Sequence, residues 1–365
     1  MKVALVTDTH FGARSDNLAF DAYFEKFYTE FFFPQLEEQG IKTICHLGDI
    51  FDRRKYINFN TLKSCKRYFF SKAADLGIEV HMVPGNHDTY FKNTNEVNSP
   101  NLLLGEYNNI TLYQEPSEVM FDREKVLYLP WICGENYDRT MAKIKETDAK
   151  TCFGHFEFAG FDMLPGMPNL HGMDTDAFSD FELVVSGHFH HRHSRGNITY
   201  MGNPYEITWS DYDDPRGFAI FDTVKRDLEY YDNPFRIFHK IYYDDSHFEG
   251  VNDIGNFDFA SIVGSNVKLI VTKKQDFARF DHFVDKLYTC NLIDLKVIED
   301  LSEFEDEALG EDIDLEDTMT LLKEYVNTVN TDLNKQRIKN LLQTLYIEAQ
   351  DICLLYTSPS PRDRG

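Results

Sequence analysis

Five short polar motifs stand at separated points of this chain, and they carry the residue types that bind metal ions in proteins. They read, in order, Asp8-Thr9-His10, Gly48-Asp49, Gly85-Asn86-His87-Asp88, Gly154-His155 and Gly187-His188-Phe189-His190. Imidazole nitrogens, carboxylates and an amide oxygen together suit Mn²⁺, iron or Zn²⁺, and the lack of cysteine in the motifs argues against a structural zinc site. The candidate metal ligands are Asp8, His10, Asp49, Asn86, His155, His188 and His190.

This set of ligands is enough for two cations, and a pair of cations indicates phosphoester hydrolysis. Asp49 can offer one oxygen to each of two ions about 3.5–4 Å apart, the spacing at which a metal pair holds the attacking and leaving oxygens of a phosphate ester. Water bound to such ions ionises near neutral pH, so no serine or cysteine nucleophile is required. Each motif alone is unspecific, and the prediction rests on all five occurring together.

We interpret His87 as a catalytic histidine that is not a metal ligand. Asn86 offers a neutral carbonyl oxygen to a metal ion, which leaves the neighbouring imidazole free to donate a hydrogen bond or a proton to the phosphate or to the leaving oxygen. A carboxylate close to the ring would orient it and keep it protonated. Asp52 and Asp88 are the two candidates for that carboxylate.

Each motif follows a short apolar run of strand length, at residues 2–7, 41–47, 78–83, 150–153 and 181–186. Helical patterns at residues 19–38 and 59–75 separate the first three runs, which predicts a strand–helix–strand arrangement in the front half of the chain. Ligands of α/β sheets bind in the loops that leave the carboxyl ends of the strands. The five motifs should therefore meet at one end of a sheet.

The rest of the sequence predicts an α/β protein in which a β-sandwich flanked by helices carries a small α/β cap domain and C-terminal partner-binding helices. Short strands with turn signals between residues 197 and 243 indicate a second sheet packed beside the first. The predicted parts are a catalytic domain at 1–243, a cap domain at 244–298, an acidic linker at 299–314, a helical segment at 315–350 and a tail at 351–365 that is disordered or not native.

Composition weighs against a nucleic-acid binder without excluding one. The 365 residues include 37 basic and 61 acidic side chains, which gives a net charge of −24, whereas proteins that bind nucleic acids are usually basic. Part of the excess lies in the acidic run of residues 299–317, which contains no Lys or Arg. Six cysteines without a C-x-x-C pair predict reduced thiols in a cytoplasmic protein, and no apolar run is long enough for a membrane span.

A few basic residues follow the motifs directly and are candidates for holding a DNA backbone at the mouth of the site. They are Arg53, Arg54 and Lys55 after the second motif and Arg192 and Arg195 after the fifth. Ordinary surface charge is the alternative interpretation for these side chains.

Through its motifs, the sequence from residue 1 to about 240 resembles the calcineurin-like metallophosphoesterase superfamily. Within it, the chain resembles the SbcD (Mre-eleven) nucleases, above all the phage recombination endonuclease subunits that partner an SbcC-type ATPase. The resemblance implies two Mn²⁺ ions, one held by Asp8, His10, Asp49 and His190 and the other by Asp49, Asn86, His155 and His188, with His87 catalytic. It also implies a DNA nuclease of recombination and double-strand-break repair, acting as a 3′-to-5′ exonuclease on duplex ends and as an endonuclease on single strands.

A second resemblance bears on the partner of His87. The segment Gly48-Asp49-Ile50-Phe51-Asp52-Arg53 is similar to the GDxxDR segment of Ser/Thr phosphatases, in which the second Asp pairs with the catalytic histidine. This favours Asp52 over Asp88. Some members of the nuclease family carry a histidine where this chain has Asp52, at a position tied to exonuclease action, so the balance between exonuclease and endonuclease activity stays open.

The family resemblance also implies two protein partners. One is a second copy of the chain, bound through helices near residues 58–75 and 99–107, where Leu102, Leu103 and Leu104 form an apolar cluster. The other is the coiled-coil ATPase, bound by the helical segment at 315–350, whose apolar faces need burial. The candidate ATPase-binding residues are Leu321, Leu322, Tyr325, Leu341, Leu342 and Leu345.

Other functions on the same fold are the main alternatives. A calcineurin-like phosphatase or phosphodiesterase acting on a substrate other than DNA would use the same ligands, but it would not need the cap and the C-terminal helices. A scaffold that has lost its metals, or a module that binds DNA ends without cleaving them, would not need the complete ligand set with His87.

Overall fold

The computed structural model describes residues 1–246 and 256–299, together with the single residue Lys335. Apart from Glu299 and Lys335, the predicted linker, helical segment and tail lie outside the described residues, and so do all six candidate ATPase-binding residues. Within the described ranges, no helix has both the length and the apolar character needed to cross a membrane.

Two six-stranded sheets form the body of the protein. The strand order of the first sheet is β14 (Asp227–Asp232), β13 (Gly217–Asp222), β1 (Lys2–Val6), β2 (Thr43–His46), β3 (Glu79–Met82) and β4 (Ile110–Leu112). The motif strands β1, β2 and β3 run parallel to one another, and β13 pairs antiparallel with β1. The predicted strand–helix–strand front half is confirmed.

The order of the second sheet is β11 (His193–Arg195), β12 (Ile198–Tyr200), β10 (Leu183–Gly187), β7 (Thr151–His155), β6 (Glu124–Leu129) and β5 (Ser117–Phe121). It holds the other two motif strands, β7 and β10, which are also parallel neighbours. Of the strands predicted for a second sheet between residues 197 and 243, β12 lies in it, whereas β13 and β14 pair within the first sheet. A two-stranded hairpin joins β8 (Asp162–Leu164) to β9 (Met167–Pro168).

Successive side chains of the buried strands contribute alternately to two apolar layers. Val3 and Leu5 of β1 belong to the apolar layer between the two sheets, whereas Ala4 and Val6 face the layer under the helices. Successive side chains of a strand point to opposite faces, so a strand covered on both faces reads as a continuous apolar run. Because these strands are packed on both faces, their ends are held in place, and so are the motifs that follow them.

Two long, aromatic-rich helical stretches cover the first sheet, and each contains a π-helical turn. Asn17 and Asn58 cap them, each accepting a hydrogen bond from the backbone N–H two residues on. The α-helices are Ala13–Asp16, Leu18–Phe27, Phe33–Glu38, Phe59–Cys65, Ser71–Asp75, Ser99–Leu103, Tyr137–Glu146 and Phe277–Thr289. The π-helical turns are Tyr28–Phe32 and Lys66–Phe70, and the 3₁₀ turns are Asp176–Phe178, Trp209–Asp211 and Phe259–Ile262.

The predicted strand–helix–strand cap is present, with one strand more than expected. Its parallel sheet has the order β15 (Phe238–Asp244), β16 (Asn266–Lys273) and β17 (Asp294–Ile298). The expected domain boundary at residues 243–244 therefore falls inside β15. Phe238 at the start of this strand packs on Phe20 and Trp209, which anchors the cap sheet to the body.

Candidate metal centre

The strand ends of both sheets bring the predicted ligands together in two clusters. Asp8, His10 and His190 form one cluster, and Asp49, His155 and His188 form the other. Within each cluster the ligand atoms lie within 4.8 Å of one another, and four of the six residues are buried. The structure thus brings together side chains from β1, β2, β7 and β10 that are up to 182 positions apart in the sequence.

The first cluster is centred on two facing imidazoles. Nε2 of His10 lies 3.0 Å from Nε2 of His190 and 4.0 Å from Oδ1 of Asp8. The Asp8 carboxylate also accepts a hydrogen bond from the hydroxyl of Thr7 at 2.7 Å and from the backbone N–H of His188 at 3.0 Å. These bonds hold the carboxylate with its charge facing the imidazoles.

The second cluster gathers around the amide oxygen of Asn86. This oxygen lies 2.9 Å from Nε2 of His155 and 2.9 Å from Nδ1 of His188. Nδ1 of His155 contacts the carbonyl oxygen of Leu47 at 2.8 Å, so its Nε2 faces the site. That contact fixes which ring nitrogen is offered to an ion.

Asp49 lies between the two clusters. Its Oδ2 is 3.3 Å from Nε2 of His155 in one cluster and 3.8 Å from Nε2 of His10 in the other. Its Oδ1 accepts a hydrogen bond from the backbone N–H of His87 at 2.8 Å. A carboxylate in this position can offer oxygen to ions in both clusters.

The spacing of these atoms fits divalent cations. Metal–nitrogen distances of about 2.0–2.1 Å place neighbouring ligand atoms about 3.0–3.4 Å apart around one ion. The separations between His10 and His190, at 3.0 Å, and between Asp49 and His155, at 3.3 Å, match that range. Nitrogen and oxygen ligands in this mixture suit Mn²⁺, iron and Zn²⁺.

The backbone at several ligands adopts a left-handed conformation that side chains other than glycine rarely accept. The φ angles are 52° at Asp8, 40° at His10, 52° at Asp49 and 89° at His188. Each such residue costs about 1–3 kcal/mol, and such residues concentrate at functional sites. These turns aim the side chains inward at the point where each strand stops.

Glycine is required before the ligands because neighbouring atoms lie too close to its backbone for a side chain. A Cβ at Gly187 would lie 2.0 Å from the hydroxyl of Thr7, and one at Gly85 would lie 2.2 Å from Oδ1 of Asp49. One at Gly48, where φ is +98°, would lie 2.6 Å from Nδ1 of His155. The motif glycines thus leave the room in which the ligands converge.

In the second cluster, the ionisation of Asp49 and that of His155 depend on each other. Burial disfavours a charged ring, but the Asp49 carboxylate outweighs it and raises the pKa of His155 to about 9. Burial opposes ionisation of Asp49 as well, yet the charge of His155 holds the pKa of that carboxyl well below its usual range. Burial, reinforced by the charge of His155, lowers the pKa of His188 well below its usual value. In the absence of an ion, His155 and Asp49 form a buried ion pair.

His87 stands at the rim of the site, half-buried, with its ring edge-on to His10 at 4.9 Å between centroids. Its Nδ1 lies 2.7 Å from the backbone carbonyl oxygen of Asp52. The side-chain Oδ1 of Asp52 lies 3.7 Å from Nδ1 of His10. The Asp52 carbonyl oxygen therefore contacts His87, and the Asp52 carboxylate lies near the predicted ligand His10.

Asp88 has a structural part in the site. Its buried carboxylate accepts hydrogen bonds from the backbone N–H groups of Ile50, Phe51 and Gly85 at 2.9–3.2 Å. Burial raises the pKa of Asp88 to about 7, against the effect of those bonds. The carboxylate joins the loop after β2 to the loop after β3.

Trp131 and Arg216 also contact the candidate ligands, and the sequence did not predict their part in the site. The Trp131 ring packs on His188 at 5.3 Å and on His155 at 5.9 Å between centroids. The buried Arg216 guanidinium donates to the carbonyl oxygen of His190 and, at 2.7 Å, to Asp214. A tryptophan after an apolar run and an arginine after Asp213-Asp214-Pro215 are unremarkable in sequence, since only the fold brings them to the ligands.

The candidate DNA-binding residues have acidic or aromatic neighbours. Arg53 forms an ion pair with Asp16 at 2.9 Å, and Arg192 forms one with Asp232 at 2.5 Å. Arg195 lies over the ring of Phe161 at 5.4 Å. Arg54 is half-buried and Lys55 is exposed.

The predicted apolar cluster of the dimer interface is divided by the fold. Leu102 is 67% exposed, whereas Leu104 is buried in the core and Leu103 packs partly against it. Only Leu102 of the three therefore presents its side chain to a partner in full.

Comparison with known proteins gives a match over the motif-bearing part of the chain. The calcineurin-like phosphoesterase family matches residues 1–192. The chain is also 30% identical over 355 residues to "Exonuclease subunit 1" of Enterobacteria phage T4, which covers 96% of this chain and 99% of that protein.

Two solved structures that the chain matches share little sequence with it. A novel archaeal phosphodiesterase has 14% identity and a TM-score of 0.33, covering 64% of this chain and 99% of its own. The calcineurin-like phosphoesterase YfkN from Bacillus subtilis has 12% identity and a TM-score of 0.33, covering 64% of this chain and 88% of its own.

Proposed function

Because the chain belongs to the calcineurin-like phosphoesterase family, whose members use divalent metals, we propose that it is a two-metal DNA nuclease. It would hydrolyse DNA phosphodiesters as the nuclease subunit of an SbcC/SbcD-type recombination and repair complex, on duplex ends from 3′ to 5′ and on single strands internally. The observation that carries the proposal is Asp49 Oδ2, which lies within 3.8 Å of ligand atoms from both clusters.

When bound, two Mn²⁺ ions would supply a hydroxide nucleophile and offset the charge that develops on the phosphate. Asp8, His10, Asp49 and His190 would hold one ion, and Asp49, Asn86, His155 and His188 the other. The contact of His87 Nδ1 with the Asp52 carbonyl supports a ring orientation in which Nε2 would face a bound substrate. A protonated ring can then donate from Nε2 to the phosphate or to the leaving oxygen.

The choice of DNA over another phosphoester rests on the phage relative, whose name describes an exonuclease and which matches this chain over nearly its whole length. A phosphatase or phosphodiesterase with another substrate remains the second candidate, since the metal centre alone serves either.

The five free cysteines among the described residues support an intracellular location, where thiols stay reduced.

We propose two protein partners as well. The name of the relative, a subunit 1, describes a protein that works with another subunit. For this chain we propose an SbcC-type ATPase bound through residues 315–350, and a homodimer in which the exposed Leu102 takes part. Deleting residues 315–350 should abolish binding of the ATPase in a pull-down experiment while Mn²⁺-dependent cleavage persists. A well-folded but inactive deletion variant would contradict this division of labour.

The first test of function compares the wild type with His87→Ser at matched metal content. Substrates are circular single-stranded DNA and end-labelled duplex, each with Mn²⁺. Loss of general-acid assistance should lower cleavage by about 10²–10⁴-fold, while His282→Ser, an exposed change on the cap helix, should cleave as the wild type does. No cleavage of either DNA by the wild type, with the ATPase present, would favour the phosphatase.

Asp52 has a separate test. Asp52→Asn keeps the backbone carbonyl that contacts His87 and removes the negative charge 3.7 Å from His10. We expect activity to fall about 10–100-fold, as for other groups that support metal ligands, with two metals retained by elemental analysis. Loss of metal with the activity would assign Asp52 to ion binding instead.

A further inference from the structure

A cavity of about 170 Å³ adjoins the second metal cluster, and no part of the mechanism above uses it. The residues that line it are the candidate ligand His155 and Trp131, Ile132, Tyr137, Phe156, Glu157, His171, Gly172 and Met173. Its volume is about ten times the 10–15 Å³ that one water needs, and well below the roughly 300–1,000 Å³ of pockets for drug-sized ligands. It has room for about one ring system.

Hydrogen bonds of the surrounding loops hold the cavity open. The backbone N–H of Trp131 donates to the carbonyl oxygen of Pro84 at 2.9 Å, and the Trp131 carbonyl oxygen accepts from the side-chain amide of Asn95 at 2.7 Å. The backbone N–H of Met173, another lining residue, donates to the carbonyl oxygen of Glu157 at 2.8 Å. Different loops therefore hold the two parts of the lining.

The lining residues do not favour a second phosphate. No Lys or Arg is among the described lining residues, whose carboxyl and imidazole groups belong to Glu157, His155 and His171. The aromatic and apolar residues of the lining favour a flat, uncharged ring, since aromatic side chains stack on nucleobases. The candidate metal ligand His155 belongs to the same lining, which places this ring beside the point where a phosphate would be bound.

We propose that this cavity, called here the Trp131 pocket, is a nucleobase-binding subsite. It would receive the base of the nucleotide whose phosphate is held at the cluster of Asp49, His155 and His188. The inference rests on the proposed function and deepens it, because it explains how the site would distinguish a nucleotide from a phosphoester without a base.

The test compares two esters that release the same p-nitrophenolate. One is thymidine 5′-(p-nitrophenyl phosphate), and the other is methyl p-nitrophenyl phosphate, which has no base. The ratio of their kcat/KM values should be well above one for the wild type. Tyr137→Ala, at a wall residue that is 48% exposed at the start of a helix, should lower that ratio about fivefold or more. Tyr288→Ala, an exposed tyrosine of the cap helix, is the matched control and should leave it unchanged.

Fluorescence gives an answer that does not depend on turnover. Trp131 and Trp209 are the two tryptophans of the chain, so Trp209→Phe leaves the pocket tryptophan as the only one. Deoxyadenosine 5′-monophosphate should quench it, and deoxyribose 5-phosphate should not. Equal quenching by both, or stronger quenching by phosphotyrosine, would overturn the nucleobase assignment. Quenching by the nucleotide with neither ester hydrolysed would support the pocket and count against the proposed function.

Discussion

At the scale of single residues, the site depends on backbone turns as much as on ligand identity. Asp8, His10, Asp49 and His188 all take positive φ angles, and glycines beside them leave the space that their side chains need. The main-chain conformation thus sets the distances between the ligand atoms at values that suit ion binding. Substitutions that leave every ligand in place can therefore still destroy the site.

Gly187→Ala is the clearest such substitution. The added methyl group would lie 2.0 Å from the Thr7 hydroxyl and 2.8 Å from Oδ2 of Asp8, so the strand end or the carboxylate must move. We expect Mn²⁺ affinity, measured by calorimetric titration, to fall by at least about tenfold, the lower end for disturbing groups that hold ligands. Gly134→Ala has nothing within 4 Å of its new Cβ and should bind Mn²⁺ normally. Normal affinity in Gly187→Ala would show that the contact relaxes without moving Asp8.

The raised pKa of His155 predicts a pH dependence of metal binding. His155 must be neutral to bind an ion, and its pKa of about 9 lies above the ordinary 6.5, so binding at pH 7 should release a proton. Affinity should rise with pH up to about 9 and level off above it. Titrations at pH 7 in two buffers of different ionisation enthalpy measure the release, and His155→Asn should abolish this share of it. Binding at pH 7 without proton release would contradict the ion pair with Asp49.

The same pKa fixes a sign for the stability of the metal-free protein. A histidine whose pKa is raised by folding stabilises the folded state below its unfolded pKa of about 6.5, and that contribution is lost as the pH rises through about 9. The metal-free protein should therefore lose stability across this window.

The ligand residues could be predicted from sequence because each follows a strand and a turn that the sequence also shows. Trp131 and Arg216 could not, because their roles depend on which loops meet. Trp131 reaches the ligands only after the loop beyond β6 bonds to Pro84 and Asn95. The Asp52 carboxylate stays the predicted partner of His87, and the structure adds a contact between His87 Nδ1 and the Asp52 carbonyl oxygen, a backbone group that side-chain patterns do not reveal.

At the scale of elements, two aromatic-rich helical stretches pack through their π-helical turns. Tyr28 of one turn stacks on Tyr68 of the other, with 5.7 Å between centroids and 12° between planes, and Phe69 packs edge-on to Tyr28 at 4.9 Å. Phe69 also lies 6.3 Å from the ring of His46, at the end of β2. The helices therefore support the strand that delivers Asp49.

Phe69→Ala should reveal this support. Phe69 is fully buried, and truncating such a ring costs about 3–5 kcal/mol of unfolding free energy. Urea denaturation followed by circular dichroism should show an unfolding free energy lower by that amount, and with it a lower midpoint. Phe277→Ala, at a ring that is 66% exposed on the cap helix, should change the midpoint little. Equal effects of the two changes would mean that the helix layer contributes no special stability.

The elements themselves were largely predictable, and their assignment to sheets was not. Apolar runs located β1, β2, β3, β7 and β10, because these strands are buried on both faces. Pairing is decided by residues far apart in the chain: Val3 pairs with Phe221, and Leu183 with Thr151. Nothing local in residues 217–232 shows that they join the first sheet.

At the scale of the whole molecule, a charge of −24 must be reconciled with a polyanionic substrate. Arg53 and Arg192 at the site are paired with Asp16 and Asp232, which reduces the positive potential that they present. Long-range attraction of DNA would then be weak for the chain alone, and a basic partner would supply it.

The pairing of Arg53 and Arg192 with carboxylates predicts a weak salt dependence of DNA binding. Each phosphate neutralised contributes about −0.9 to the slope of log K against log salt for duplex DNA, so a chain with few available cations should show a slope of magnitude below about 2. Binding is measured by fluorescence anisotropy with His87→Ser, in which cleavage is expected to be slow. Asp232→Asn in that background frees Arg192 and should steepen the slope by about one. Asp227→Asn changes the net charge equally on the same exposed strand β14, so it separates the loss of this ion pair from the loss of one negative charge. If both variants steepen the slope alike, net charge governs DNA binding. If the chain alone already has a slope near −6, its own surface holds the DNA without a basic partner.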